Sequence, residues 1–261
     1  MRAIIAAFKL LLFALWSVLI VPLQCLLLVF HKGKYAYILP YYWHKGVCAI
    51  FRLQVRIEGT PQTSGQIIYV SNHLSYLDIP VIGTVLKASF VAKKDVASWP
   101  VFGFLSKLQQ TAFIDRNRNA ARKEAGALDS MIEAQKSLIL FPEGTSTDGK
   151  SVLPFKSSLF SLALKDAEKP LSIQPFTIEM IEINKQNPET QNIVDLYAWH
   201  RDMTTELPAH LWRFAKSKGA VIGLHFHPLI AADAYSDRKK LALLCHEAVS
   251  SLYTTSKKIA A

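Results

Sequence analysis

The hydrophobic pattern opens with an uninterrupted apolar run. From Leu10 to Phe30 there is no charged residue in 21 positions. As a helix this run would be about 31 Å long, close to the thickness of a bilayer core. Pro22 and Gln24 are predicted to kink it. A cleaved signal peptide is the rival reading, with Arg2 and Lys9 as its charged start. No small-x-small cleavage site follows, so a retained anchor is expected, one that spans the bilayer or lies within one leaflet. Residues 35 to 51 carry Tyr35, Tyr37, Tyr41, Tyr42, Trp43 and Phe51 near His31, His44 and Lys45. Such side chains suit a membrane interface, and equally an amphipathic helix packed on a domain.

From residue 53 the pattern changes. Leu53 to Ile57 alternates like a half-buried strand, and 59 to 65 is a polar turn. Strands are predicted at Gln66–Val70, Ala88–Ala92, Thr111–Ile114, Leu138–Phe141, Leu171–Ile178, Ile193–Ala198 and Ala220–His227. Helices are predicted after Ile79 and at Trp99–Leu108, Arg118–Gln135, Phe155–Leu164, Pro208–Lys216 and Asp237–Tyr253. Strands alternating with helices predict an α/β fold with a mostly parallel sheet flanked by helices. The expected organisation is an N-terminal membrane anchor and interfacial helix over 1–51 and one large domain over 52–261.

Charge sharpens the N-terminal picture. The chain has 30 Lys and Arg against 20 Asp and Glu, a net charge of +10. No acidic residue precedes Glu58, whereas seven basic ones do. A basic, apolar segment suits an anionic membrane surface. No nucleic-acid-binding module is recognisable, so no nucleic-acid partner is expected. The three cysteines, Cys25, Cys48 and Cys245, have neither disulfide-framework nor zinc spacing. That fits a reducing compartment.

The candidate chemistry centres on Ser71-Asn72-His73-Leu74-Ser75-Tyr76-Leu77-Asp78, between a buried strand and a second apolar run. Ends of strands are where α/β folds build sites. Residues five apart on one helix point about 140° away from each other. For His73 and Asp78 to meet, His73 must sit in the turn and Asp78 in the first helical turn. The carboxylate would then hold one ring nitrogen and leave the other free to take a proton, a base and its orienter without a protein nucleophile. Further along, Arg116 ends a strand and could clasp a phosphate or carboxylate bidentately, or continue the basic run of Arg118, Arg122 and Lys123. Glu143-Gly144-Thr145 follows Pro142 at another strand end. Glu143 could bond an acceptor hydroxyl or cap the turn, and Gly144 would let backbone N–H groups approach a ligand. Pro175 within a strand marks an edge or a bulge. His225 and His227 share a strand face, but no third ligand is in view, so no metal is expected.

Four ordered blocks, Asn72-His73 with Asp78, Phe113-Ile114-Asp115-Arg116, Leu140 to Thr145, and Ile173-Gln174-Pro175-Phe176, together resemble the glycerolipid acyltransferase family over about residues 50 to 230. That family includes the acyltransferases acting on lysophosphatidic acid. The resemblance implies a membrane-bound O-acyltransferase with an acyltransferase domain over 52–261. Its acyl donor would be acyl carrier protein or acyl-coenzyme A, its acceptor a lysolipid, and it would need no cofactor. His73 and Asp78 would be catalytic. Asn72, Phe113, Arg116, Glu143, Gly144, Thr145 and Pro175 would contact substrate, with Arg116 at the acceptor's polar head and Pro175 beside the donor. In such an enzyme His73 deprotonates the acceptor hydroxyl, which attacks the thioester directly. In a bacterium the location would be the cytoplasmic membrane, with the domain on the cytoplasmic side.

One departure concerns the acceptor. Most relatives acting on glycerol phosphates carry an arginine after the threonine, where this chain has Ser146 and Thr147. The stretch Ser146 to Ser157, and Tyr197 to Met203 with His210-Leu211-Trp212, resemble instead the branch that acylates lyso-ornithine lipids. Acylation of lysophosphatidic acid, in phospholipid biosynthesis, stands as the first expectation, and acylation of lyso-ornithine lipid or a related aminolipid as its alternative. A membrane lipid-binding protein that keeps the fold without catalysis is the alternative from a different class, and the presence of both His73 and Asp78 favours the enzyme.

Overall fold

The computed structural model describes residues 1–31, 33–114, 128–164, 171–232 and 237–259. Helix α1 (Arg2–Phe30) is a single helix with Pro22 inside it, long and apolar enough to cross a membrane. One face is covered: Ala6, Lys9, Ile20 and Gln24 are buried, and the Lys9 ammonium donates to the Ser217 carbonyl at 3.0 Å. The other face leaves Phe8, Leu11, Leu15, Val18, Leu19 and Leu26 exposed. Helix α2 (Ile38–Phe51) packs beside it and ends at Arg52, which adopts a left-handed conformation with φ 58°. Phe13 of α1 stacks edge-on against both Trp43 and Phe51 of α2.

Among the described residues the domain is built on an eight-stranded sheet: β1 (Leu53–Glu58), β2 (Ile67–Ser71), β3 (Ser89–Lys93), β4 (Ala112–Ile114), β5 (Leu138–Leu140), β6 (Ser172–Ile183), β7 (Ala220–Phe226) and β8 (Ile230–Ala231). The order is β1-β7-β6-β2-β5-β3-β4, with β8 on β6. All pairings are parallel except β6 with β7 and with β8. The expected fold class is therefore the observed one. Strands β2, β5 and β7 are buried throughout, as continuous apolar runs in a sheet covered on both faces require. Alternation sorts them between two cores. Ile67, Tyr69 and Ile139 pack with α2 and α3 (Asp78–Gly83), whereas Ile68, Val70, Leu138 and Leu140 pack with the C-terminal helix.

Two local expectations need correction, and a third, for Pro175, is met in one of its two forms. Residues 193–198 are not a strand: Gln191–Tyr197 is helix α5, after α4 (Phe102–Leu108). Its buried residues, Val194 and Tyr197, are three apart, with Ile193 and Leu196 half-buried beside them, which is helical and not alternating spacing. Residues 155–164 form a short 3₁₀ helix, Ser157–Leu162. Pro175 does not lie at a sheet edge, since it pairs in register with Val70 of β2, but it does lie at an irregularity: between the pairs Phe176–Phe226 of β7 and Ile173–Ile230 of β8, residues 174 and 175 face the three residues 227–229. The His227 N–H donates to the Pro175 carbonyl at 3.0 Å. The return bond, which proline cannot make, is supplied by the Gln174 side-chain amide donating to the His227 carbonyl at 3.2 Å. Of the helix expected at Arg118–Gln135, residues 128–133 are helical and its start lies outside the described residues. Helices α6 (Leu207–Ala215) and α7 (Arg238–Ile259) complete the chain.

Candidate active site

The loop leaving β2 carries His73, and α3 starts on Asp78, the placement their separation demands. The His73 Nδ1 to Asp78 Oδ2 distance is 2.8 Å. Asp78 is fully buried, and its two oxygens take four donors. Oδ2 accepts from the His73 ring and from the backbone N–H groups of Leu74 and Ser75 at 2.7 and 3.0 Å. Oδ1 accepts from the Tyr197 hydroxyl at 2.9 Å. One carboxylate thus shapes the turn and orients the ring. Because a carboxylate only accepts, Nδ1 carries the proton and Nε2 keeps a free lone pair. The ring stacks on Phe141, centroids 4.1 Å apart, and its side chain remains 21% exposed.

Glu143 fixes the same loop from below. Its Oε1 accepts the His73 N–H and its Oε2 the Leu153 N–H, both at 2.8 Å. Burial pushes its pKa up to about 7, against the pull of those two donors. The His73 carbonyl accepts the Thr147 N–H at 2.9 Å, and Leu74 accepts the Trp199 N–H at 2.9 Å. Ser146 Oγ donates to the Trp199 carbonyl at 2.7 Å. Three loops, after β2, after β5 and after α5, are therefore one hydrogen-bonded unit. Gly144 turns with φ 75°, a left-handed conformation natural to glycine.

His73, Gly144 and Thr145 line a cavity of about 530 Å³. Its walls are largely apolar: Phe13 and Ile20 from α1, Trp43 and Phe51 from α2, Leu105 from α4 and Leu211 from α6. Not every expected contact residue reaches it. Asn72 is buried, with Oδ1 accepting the Ile178 N–H at 2.8 Å and Nδ2 donating to the Ile178 carbonyl at 2.9 Å, so it bolts β2 to β6. Glu143 is buried beneath the loop, and neither Phe113 on β4 nor Pro175 on β6 lines the cavity. Arg116 lies outside the described residues. His225 is held by Glu58 at 3.0 Å and Glu179 at 2.8 Å, whereas His227 meets Thr177 at 2.8 Å. The two histidines therefore serve separate partners. Tyr197, Phe141 and Trp199 are the site residues that sequence reasoning assigned no role. The order of types around Tyr197 was visible, but its bond to Asp78, 119 positions away, was not.

Among the described residues, no serine, threonine or cysteine side chain is hydrogen-bonded to the His73 ring. Ser71 and Ser75 are buried, the first donating to Asn72 Oδ1 at 3.2 Å and the second accepting the Leu77 N–H at 3.3 Å. Burial pushes the Cys48 and Cys245 thiols up to about 12. The arrangement offers a base on the wall of an apolar chamber, suited to removing a proton from a hydroxyl brought in with a substrate.

Comparison with known proteins supplies the family. The family model described as Acyltransferase matches residues 52–179. A lyso-ornithine lipid O-acyltransferase of Rhodobacter capsulatus is 34% identical over 206 residues, covering 78% of this chain and 71% of the relative. One of Brucella abortus is 31% identical over 241 residues, 90% of this chain and 89% of the relative. A 1-acyl-sn-glycerol-3-phosphate acyltransferase of Neisseria meningitidis serogroup B is 27% identical over 201 residues, 76% and 73% of the two chains. The crystal structure of the 1-acyl-sn-glycerophosphate (LPA) acyltransferase PlsC from Thermotoga maritima superposes with a TM-score of 0.69 at 21% identity, covering 98% of each chain, and so shares the fold.

Proposed function

The chain belongs to the acyltransferase family, and on that premise we propose that it moves a fatty acyl group from a thioester to the free hydroxyl of a lyso-ornithine lipid or a related aminolipid. The carrying observation is the His73–Asp78 pair opening into an apolar cavity. His73 Nε2 takes the acceptor's hydroxyl proton as its oxygen bonds to the thioester carbonyl carbon. The carbon–sulfur bond then breaks, and the departing sulfur receives the proton from His73. Asp78 keeps the ring in the one tautomer that can do this and stabilises its cationic form. Direct transfer fits a site whose nearby serines are tied into the loop.

The head group is expected near Thr145, Ser146, His200 and Arg201, which line the cavity beside the catalytic loop. Arg201 of that wall lies 3.6 Å from Asp202, and Asp148, paired with Lys150 at 3.1 Å, acts electrostatically on His200; Asp148, Lys150 and Asp202 themselves lie outside the cavity lining. A zwitterionic head matches mixed charge better than a phosphomonoester, which calls for clustered cations. The similarity to relatives named for lyso-ornithine lipid supports the same choice. Lysophosphatidic acid is the second reading, favoured by the Neisseria relative. The donor is acyl carrier protein or acyl-coenzyme A. The exposed apolar face of α1 would sit in one leaflet, since its other face is held on the domain. Residues 1–51 then form the membrane-seated part and 52–261 the acyltransferase domain, on the cytoplasmic side.

The test gives purified protein both lysolipids at equal concentration and compares kcat/KM. The ornithine lipid is expected to be preferred. A preference for lysophosphatidic acid above about tenfold, roughly 1.4 kcal/mol in transition-state binding, would defeat that assignment. Turnover of neither would leave lipid binding without catalysis.

A further inference from the structure

The permanent charges on the cavity wall are of one sign. Among the described residues that line it, Lys93 at the end of β3 and Arg201 after α5 are cations, and no Asp or Glu is present. The nearby acids stand elsewhere. Glu143 is buried beneath the catalytic loop with both oxygens accepting backbone N–H groups, and Asp148 and Asp202 lie outside the lining.

Of the two cations, Arg201 belongs to the segment bonded to the catalytic turn. The Tyr197 hydroxyl donates to Asp78 Oδ1 at 2.9 Å, the Trp199 N–H to the Leu74 carbonyl at 2.9 Å, and Ser146 Oγ to the Trp199 carbonyl at 2.7 Å. Trp199 Nε1 donates to the Thr205 carbonyl at 2.8 Å, and the Met203 N–H closes a turn on the His200 carbonyl at 3.0 Å. The backbone that carries Arg201 is therefore held in place relative to His73, whereas its side chain is uncommitted. Arg201 Nε is 3.6 Å from Asp202 Oδ1, too far for a hydrogen bond. The two side chains are 68% and 75% exposed, so water screens the pair. Among the described residues the guanidinium makes no hydrogen bond.

Arg201 thus brings a planar fork of N–H donors to the cavity, and a carboxylate fills such a fork with two parallel bonds. An ammonium has no matching partner on this wall. Moving it into an apolar chamber without an acid would cost its hydration with nothing gained in return. We propose that Arg201 is the specificity-determining residue for the acceptor: it takes the head group's carboxylate, and the head's ammonium stays in water at the rim. The acceptors are then a class of lysolipids defined by a carboxylate head, whatever the state of the amine. This rests on the lyso-ornithine reading above and narrows it to one of the head's two charges.

The experiment uses one acyl-coenzyme A donor and three acceptors: lyso-ornithine lipid, the same lipid with its carboxylate converted to a carboxamide, and the same lipid with its side-chain amine acetylated. The readout is the ratio of kcat/KM values within one preparation, which a partly inactive sample leaves unchanged. The wild type is expected to favour the parent lipid over the carboxamide by about tenfold, the order for a hydrogen-bonded pair of charged groups. Parent and acetylated lipid are expected to agree within about threefold, as an exposed, screened amine allows. Arg201→Gln is expected to bring the parent-to-carboxamide ratio to about one, with Arg201→Lys between the two. Lys93→Gln is expected to keep the wild-type ratio. A wild-type ratio near one, a ratio that survives Arg201→Gln, or an equal loss in Lys93→Gln overturns the assignment of the carboxylate to Arg201. A tenfold or greater loss on acetylation overturns the claim that the amine goes unread. With the parent lipid turned over, these results defeat this proposal alone. Absence of turnover with all three acceptors overturns the acyl-transfer reading and this one with it.

Discussion

At the scale of single residues, Asp78 carries the most. Its oxygens hold a ring, a hydroxyl and two backbone N–H groups at once. In Asp78→Asn one oxygen becomes a donor facing donors. Turnover is expected to fall on the order of 10²-fold or more, with a stability loss of about 1–3 kcal/mol; equal rates for variant and wild type would remove Asp78 from the site. Tyr197→Phe deletes one of the four donors and is expected to lower kcat while leaving KM near its original value. A pure loss of Tm with unchanged kcat would limit Tyr197 to packing. Glu143 makes a pH-dependent contribution. An acid whose folded pKa is raised keeps its proton longer in the native state than in the unfolded one. Its contribution to stability therefore declines as pH rises from about 4.5 through about 7. The Tm difference between wild type and Glu143→Gln is expected to shift against the wild type over that window. A difference that stays flat with pH would contradict the raised pKa.

At the scale of elements, α1 does two things with two faces. Its inner face supplies Phe13, Ile20 and Gln24 to the cavity, and its outer face stays apolar and exposed. Replacing Leu11, Leu15 and Leu19 together with glutamate alters the outer face alone. More protein is expected in the supernatant after a high-salt membrane wash, with an unchanged Tm; full retention would mean that α2 or the domain surface holds the membrane. Most strands were legible because a buried parallel strand is a short apolar run bounded by turns, as at Ile67–Ser71 and Ala220–Phe226. Helix α5 was misread because Ile193 to Tyr197 is apolar except for Asp195, and in so short a run period alone cannot separate helix from strand. The His73–Asp78 pair was legible since both members lie in one turn. The roles of Asn72 and Glu143 were not, because each depends on a partner outside its own segment: Ile178 for Asn72, Leu153 for Glu143. Pro175 was legible as the mark of an edge or a bulge, but nothing local shows that Gln174 takes over its missing bond.

At the scale of the whole molecule, the net charge of +10 bears on the donor. Acyl carrier proteins are usually acidic, and a basic partner speeds such an encounter in a salt-sensitive way. Activity with acyl carrier protein is expected to fall more steeply with ionic strength than activity with acyl-coenzyme A; identical profiles would count against docking on a basic surface. The sheet, the three bonded loops and the N-terminal helices together place one basic nitrogen on the wall of one apolar chamber, and the proposed reaction depends on that nitrogen. Its most direct test is the rate of thiol release from an acyl thioester by purified His73→Ala with added lysolipid, alongside its Tm. The result expected is a loss of 10²- to 10⁴-fold, the order of magnitude for a general base, in a variant that melts like the wild type. Near-normal turnover by the folded variant would contradict the account.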